Sequence, residues 1–331
     1  MAKQWTADEI LNIVRAFQPA CVLTAAAELD IFTVLYKRSM TAKSLASKLG
    51  FNARAMTVLL DALTALGFLA KRKNKYSVPA GLIDILTESG PNNILPGIRH
   101  LGNCLRRWVQ LAQVTKTGKS AERVPSIRGS SADVASFIGA MDNFSAPIAG
   151  EIIKKLKPLK FKHLLDIGGG PGTWTIAFLK AVPKAKATIF DLPDVIPIAK
   201  KHILKAGLSK LVTFIGGDFE IDELPAGADF VWVGAIAHQN SRKQNRNLFA
   251  KIFKALQPNG VLVIRDVVMD KYRTNPVIGA LFAINMLVGT EGGGTYTFEE
   301  FREDLSKAGF KKINLIHKDE AMSSLIRAEK L

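Results

Sequence analysis

Apolar positions recur at helical spacing through residues 8–36, with Ile10, Ile13, Val14 and Phe17 first, then Val22, Leu23, Ala26 and Leu29. The pattern predicts two helices, broken at Pro19 and ending near Leu35. A tighter pattern follows. Thr41 stands as N-cap of a short helix carrying Leu45, Ala46 and Leu49, which Gly50 ends. Asn52 caps a second helix, with Val58, Leu59, Leu60, Leu63 and Leu66, which Gly67 ends. Phe68-Leu69 and Tyr76-Ser77-Val78 flank the basic turn KRKNK at 71–75, as the arms of a small hairpin would. Helix, turn, helix and hairpin together predict a winged helix-turn-helix.

From residue 161 the period changes. HLLDIG (163–168), ATIFD (187–191), LVTFI (211–215), ADFVWV (228–233) and GVLVIRDVV (260–268) read as strands. Residues 172–182, 194–206 and 241–256 read as amphipathic helices between them. Such alternation predicts an α/β, doubly wound, mostly parallel Rossmann-like sheet. KKINLI (311–316) and SSLIRAEK (323–330) read as a terminal pair with an antiparallel member. The chain divides accordingly into a winged-helix domain (1–105), a helical connector (106–160) and the α/β domain (161–331).

Composition excludes some classes. With 331 residues, 48% hydrophobic and 22% charged, the chain has an ordinary globular core and is neither disordered, collagenous nor a coiled coil. The uncharged stretch between Arg273 and Glu291 contains Pro276 and Asn285 and is too short for a membrane span. MAKQWTADEI lacks the apolar core of a signal peptide, and Cys21 and Cys104 form neither a disulfide framework nor a metal site. These features lead us to expect a cytoplasmic protein without a metal. The net charge of +16 is uneven, with 23 basic and 11 acidic residues up to position 165 and 22 and 18 after it. A basic excess raises nucleic acid as a partner, beside the plainer reading of a solvated lysine-rich surface.

The candidate chemistry begins at DIGGGPGTW (166–174), a glycine-rich turn between the first strand of the α/β domain and a helix. Such a turn lets a ligand approach the backbone at a helix N-terminus. A dinucleotide fingerprint needs glycine or alanine where Thr173 stands; Gly168, Gly170 and Gly172 give G-x-G-x-G instead, preceded by Asp166. Asp191 ends the second strand, where a carboxylate accepts hydrogen bonds from ribose hydroxyls, and Leu192 follows it. In GGDF (216–219), Asp218 is placed to accept from an adenine amino group, with Phe219 packing on the ring. Three carboxylates at successive strand ends point to an adenosine-bearing cofactor.

DIGGGPGTW, FDLPDVI (190–196), GGDF and a histidine just after the fourth strand resemble class I S-adenosylmethionine-dependent methyltransferases. LTAAAELDIFTVL (23–35), the 44–69 segment, KTGKSA (116–121) and FIGAMDNFS (137–145) narrow the likeness to the plant caffeate and acetylserotonin O-methyltransferase type with its bacterial relatives. The resemblance implies a seven-stranded sheet, a winged-helix dimerisation domain, a homodimer and S-adenosyl-L-methionine as methyl donor. It implies that Met141 and Ser145, on one helix face with Phe137, close over the cofactor. It implies His238 as general base for an acceptor hydroxyl, with Asp266 orienting the imidazole. Phe282, Asn285 and Met286, in the apolar stretch 276–289, then line the acceptor pocket, and Tyr296 supplies it with a hydroxyl.

The sequence departs from that family at three places. Gln239 stands where an acidic residue usually follows the histidine, Gly234 where a lysine often precedes it, and Thr295 where a second glutamate supports it. Glu291 replaces that glutamate only if the loop shifts. The reading is therefore methyl transfer to a hydroxyl of a small aromatic, quinone-like or polyketide-like acceptor. Methylation at carbon, or a non-methylating reaction with the same cofactor, is the alternative. A winged-helix DNA-binding regulator fits less well, because residues 53–66 contain Arg54 alone as a base and show leucines on more than one face.

Overall fold

The computed structural model describes residues 3–331. The chain forms two compact units, one up to Arg106 together with Val124–Asn143, the other Arg107–Arg123 together with Phe144–Leu331. The expected connector, 106–160, is not a unit of its own. Its residues are shared out, and the helix Ser130–Lys155 runs through the division.

The first unit opens with three helices where two are predicted: Ala7–Arg15, Phe17–Glu28 and Ile31–Lys37. Pro19 does not break the second, because it lies in the first turn, where its missing N–H is not needed. The breaks fall at Ala16 and at Asp30, whose φ is 59°. Ala7–Arg15 is closed by a capping box of Thr6 and Glu9 and buries no residue. The stretch Ala7–Glu28 is long and apolar enough, by length and composition, to cross a membrane. The sequence reading assigned that property to no segment.

The winged motif forms with its caps in place. Thr41 accepts the Ser44 N–H ahead of Ala42–Leu49, and Asn52 accepts the Ala55 N–H ahead of Ala53–Ala65. Its hairpin is tighter than expected. Ala70–Arg72 pairs with Lys75–Ser77 across a two-residue turn, Lys73 and Asn74 at φ 46° and 61°, and Met40–Thr41 adds a third strand. Leu45, Leu60, Leu63 and Tyr76 fill the core beneath. Buried Arg99 is paired with Asp30 at 2.7 Å and Glu88 at 2.5 Å.

In the second unit, seven strands among the described residues make the large sheet: β1 His163–Ile167, β2 Lys186–Asp191, β3 Val212–Gly216, β4 Ala228–Gly234, β5 Leu256–Asp266, β6 Lys311–His317 and β7 Ser324–Glu329. Their order is β6-β7-β5-β4-β1-β2-β3, parallel throughout β1–β5, with β7 antiparallel to both neighbours. Both faces are covered, which is why the strands read as continuous apolar runs. On β4, Val231 and Val233 join one core with Phe249 and Leu305, while Phe230 and Trp232 join the other with Phe161 and Phe178. The predicted run 260–268 is interrupted after Asp266. Val268–Met269 is a separate short strand, paired in parallel with Tyr296–Thr297. The sheet order reverses beside β1, so the loops after β1 and β4 diverge and open a crevice at the strand ends.

Candidate active site

The loop after β1 carries its glycines in left-handed conformations, Gly168 at φ 63°, Gly170 at 54° and Gly172 at 85°. They do different things. A Cβ at Gly168 would stand 2.4 Å from Ile236 Cδ1, and one at Gly172 3.1 Å from Ile189 and Ile203. At Gly170 nothing lies within 4 Å. The outer two glycines let the loop pack on the protein, and the middle one leaves open space where a ligand can meet the backbone.

Asp166 is buried beneath this loop and accepts the Thr175 hydroxyl at 2.6 Å. Burial, with Asp191 nearby, pushes its carboxyl up to about 7. Asp191, at the end of β2, accepts the Gly170 and Leu192 N–H groups, each at 2.7 Å. Its carboxyl is also raised by burial. It thereby ties the end of β2 to the loop after β1, and Leu192 beside it is exposed. Asp218 opens a tight turn after β3, its N–H donating to Asp222 and its carboxylate accepting from Glu220. Phe219 packs on the sheet core and lines a cavity of about 190 Å³ with Asn240, Gln244 and Leu248. Open space at Gly170 beside an anchored strand-end carboxylate fits an adenosine-bearing ligand.

His238 sits in a short 3-10 turn, Ala237–Gln239, after β4. Its Nδ1 is 2.9 Å from Asp266 Oδ1, and its backbone N–H donates to Asp266 Oδ2 at 3.1 Å. Both groups are buried. One carboxylate at the end of β5 thus holds ring and main chain together, and the break in that strand frees it to do so. Three other contacts hold the turn's carbonyls. Asn245 Nδ2 donates to Ala237, the Gly294 N–H to His238, and the Tyr296 hydroxyl to Asn240. Phe282 meets the imidazole edge-on, ring centres 4.8 Å apart.

Tyr296 corrects an expectation. Its hydroxyl is spent on the Asn240 carbonyl, its ring is buried in the sheet core against Phe301, and burial pushes its phenol up to about 12. It is part of the frame around His238 and offers no free hydroxyl to a pocket. Glu291 is exposed, Thr295 is buried, and Gln239 donates back to the Ala235 carbonyl. Asn285 accepts from Trp108 Nε1 at 2.9 Å, one helical turn from Phe282, and Met286 is buried. Met141 and Ser145 are both half-buried on the helix Ser130–Lys155, but Met141 belongs to the first unit and Ser145 to the second. Sequence reasoning missed Asn245 and Gly294. The one signal near them was the S-x-x-Q capping box at 241–244, which places the helix but not what its asparagine reaches.

Residues 116–311 match the model of the O-methyltransferase domain, and residues 11–91 that of the O-methyltransferase dimerisation domain. The tetracenomycin polyketide synthesis 8-O-methyl transferase of Streptomyces glaucescens is 30% identical over 313 residues, covering 92% of this chain and 91% of that one. The L-tyrosine C(3)-methyltransferase of Streptomyces lavendulae is 28% identical, covering 91% and 85%. The crystal structure of human N-acetylserotonin methyltransferase in complex with S-adenosylmethionine superposes with a TM-score of 0.82 at 26% identity, covering 100% of this chain and 99% of that one. With the glycine loop, the sheet order and these likenesses in agreement, the chain belongs to the O-methyltransferase family and is an S-adenosylmethionine-dependent methyltransferase.

Proposed function

We propose that the protein methylates a hydroxyl of a small aromatic or polyketide-like acceptor, with His238 as general base. The observation that carries this reading is the pairing of His238 Nδ1 with Asp266 at 2.9 Å, which leaves Nε2 to take a proton. S-adenosylmethionine, when bound, supplies a methyl already activated on sulfur, so the chain's task is alignment and proton removal. Asp191, Leu192, Asp218 and Phe219 are assigned to the adenosine, Gly170 to the close approach of the backbone, Gly168 to packing the loop on Ile236, and Asp166 to bracing that loop. Ser145 is assigned to covering the cofactor. Phe282 and Met286 form apolar wall, with Asn285 as a placed polar group, a lining suited to a flat aromatic ring. The Streptomyces glaucescens relative, named for a polyketide, supports this acceptor class.

A homodimer in the cytoplasm belongs to the same proposal. The dimerisation-domain match and the uncovered apolar face of Ala7–Arg15, with Ile10, Ile13 and Val14 at least half exposed, support it. Carbon methylation is the second reading. It is favoured by the absence of a carboxylate at Gln239 and Thr295 and by a relative named for methylation at C(3) of L-tyrosine. Methyl transfer from isotope-labelled cofactor to a panel of phenols, with product position read by mass spectrometry, separates the two. His238→Ala should lower turnover on a hydroxyl ~100- to 10,000-fold with cofactor affinity unchanged. A variant that keeps most of its activity would remove His238 as the base.

A further inference from the structure

We propose that the edge of the large sheet opposite the cofactor loops is a docking face for an anionic lipid bilayer. Between Ile152 and Ile215 the chain has twelve lysines, three aspartates, no glutamate and no arginine, a balance of +9 out of the protein's +16. The α/β topology sorts these charges. All three aspartates, Asp166, Asp191 and Asp194, stand at the carboxyl ends of β1 and β2, beside the cofactor loop. Strand beginnings and helix ends share the other edge, and ten of the twelve lysines gather there, Lys200 and Lys201 lying within the helix Ile196–Lys205. Lys154, Lys155, Lys180 and Lys205 lie in the last turns of their helices. Lys157, Lys160, Lys162, Lys184, Lys186 and Lys210 occupy the loops and starts of β1–β3. The register brings them side by side, because the Lys186 N–H donates to the Lys162 carbonyl at 2.9 Å.

All twelve are exposed, and among the described residues Lys154 alone is in an ion pair, with Glu151 at 2.7 Å. Asp229 stands at the same edge, but its carboxylate accepts the backbone N–H groups of Lys162 and His163. Lysines in a helix's last turn complement its dipole, which accounts for four of them and leaves the six in loops and strand starts unexplained.

The composition of the face selects the partner. Nucleic acid sites favour arginine, whose fork grips phosphate in two places, and single strands add exposed aromatic rings. This edge has no arginine, and Phe161 and Phe178 behind it are buried. Lysine is a point charge on a flexible aliphatic stem and suits a diffuse anionic surface, where each added charge raises partitioning about fivefold. Leu204, 68% exposed between Lys200, Lys201 and Lys205, adds an aliphatic contact. Docking by this edge leaves His238 and the glycine loop facing away from the bilayer.

Flotation with phosphatidylcholine vesicles containing phosphatidylglycerol, against vesicles of phosphatidylcholine alone, tests the idea on the whole protein. Binding is expected with the mixed vesicles at about 0.1 M salt, and release near 1 M, where screening acts within ~3 Å. Lys157→Glu, Lys160→Glu, Lys184→Glu and Lys186→Glu combined should lower partitioning more than about 100-fold. The same variant should keep wild-type cofactor affinity, which shows that it is folded. Equal flotation with neutral vesicles, or undiminished binding by the variant, overturns the proposal; the second result would point to the apolar stretch Ala7–Glu28. Tighter binding to duplex DNA than to mixed vesicles, at equal phosphate concentration, also overturns it and reassigns the face to nucleic acid.

Discussion

The ends of β1–β3 and the ends of β4–β5 meet in one unit and are built by different means. Around the glycine loop, placement is a property of the backbone. Three left-handed glycines stand within five residues, and Asp191 anchors the loop through main-chain N–H groups. Around His238, a single imidazole is held by partners distant along the chain. Asp266 lies 28 residues away, and Tyr296 lies 56 from the Asn240 carbonyl it holds. A ligand-binding loop can be specified by a dozen consecutive residues, whereas a catalytic base needs a frame that only the assembled fold provides. The two regions also bear different strains. The loop's two carboxyls, Asp166 and Asp191, are both raised by burial, whereas in the frame the carbonyls of Ala237, His238 and Asn240 each have a donor.

The largest expected effect exploits that strain. Asp166, raised to about 7 in the folded protein, keeps its proton where the unfolded chain has lost it. Its contribution is therefore fully present below about pH 4 and declines as pH rises to about 7. Asp166→Asn removes this decline. Urea unfolding of both proteins should show the variant gaining on the wild type by order 3 kcal/mol between pH 4 and 7, and no further above that. Parallel pH profiles would show that burial is not what governs Asp166.

Asp191→Ala comes next. Losing a charge-assisted acceptor costs ~1.5–3 kcal/mol, so calorimetry should report cofactor binding weakened roughly 10- to 100-fold. Turnover at saturating cofactor should change much less. The smallest effect is expected in the frame. Tyr296→Phe leaves the Asn240 carbonyl without its donor, at ~1–2 kcal/mol of stability, and should lower turnover severalfold with cofactor affinity unchanged. If cofactor affinity fell as far as turnover, the two regions would not be separable as described.

Legibility in the sequence follows the same division. The caps at Thr41 and Asn52, the strands β1–β4 and the glycine loop depend on neighbours within a few residues, and the pattern placed them. Pro19 misled because the rule that proline breaks helices does not apply to a first turn. KRKNK reads as one basic loop, while Lys73 and Asn74 alone reverse the chain. His238 and Asp266 were legible through likeness to a family, and the structure shows their contact. Asn245 and Gly294 were not, and the Tyr296 hydroxyl, expected in the pocket, is spent on the Asn240 carbonyl, since nothing in local spacing says which carbonyl a distant side chain will reach.

The helix Ala7–Arg15 is capped at its start yet buries none of its side chains. Nine residues are too few to keep a helix ordered in water by hydrogen bonds alone, because nucleation costs more than one short run of propagation returns. Its order then obeys mass action, and a second chain that covers Ile10, Ile13 and Val14 holds the helix in proportion to protein concentration. On dilution its amide protons should exchange with solvent faster, while those of β4 keep their rate. The start of the chain would serve as a gauge of assembly, readable without touching the catalytic unit.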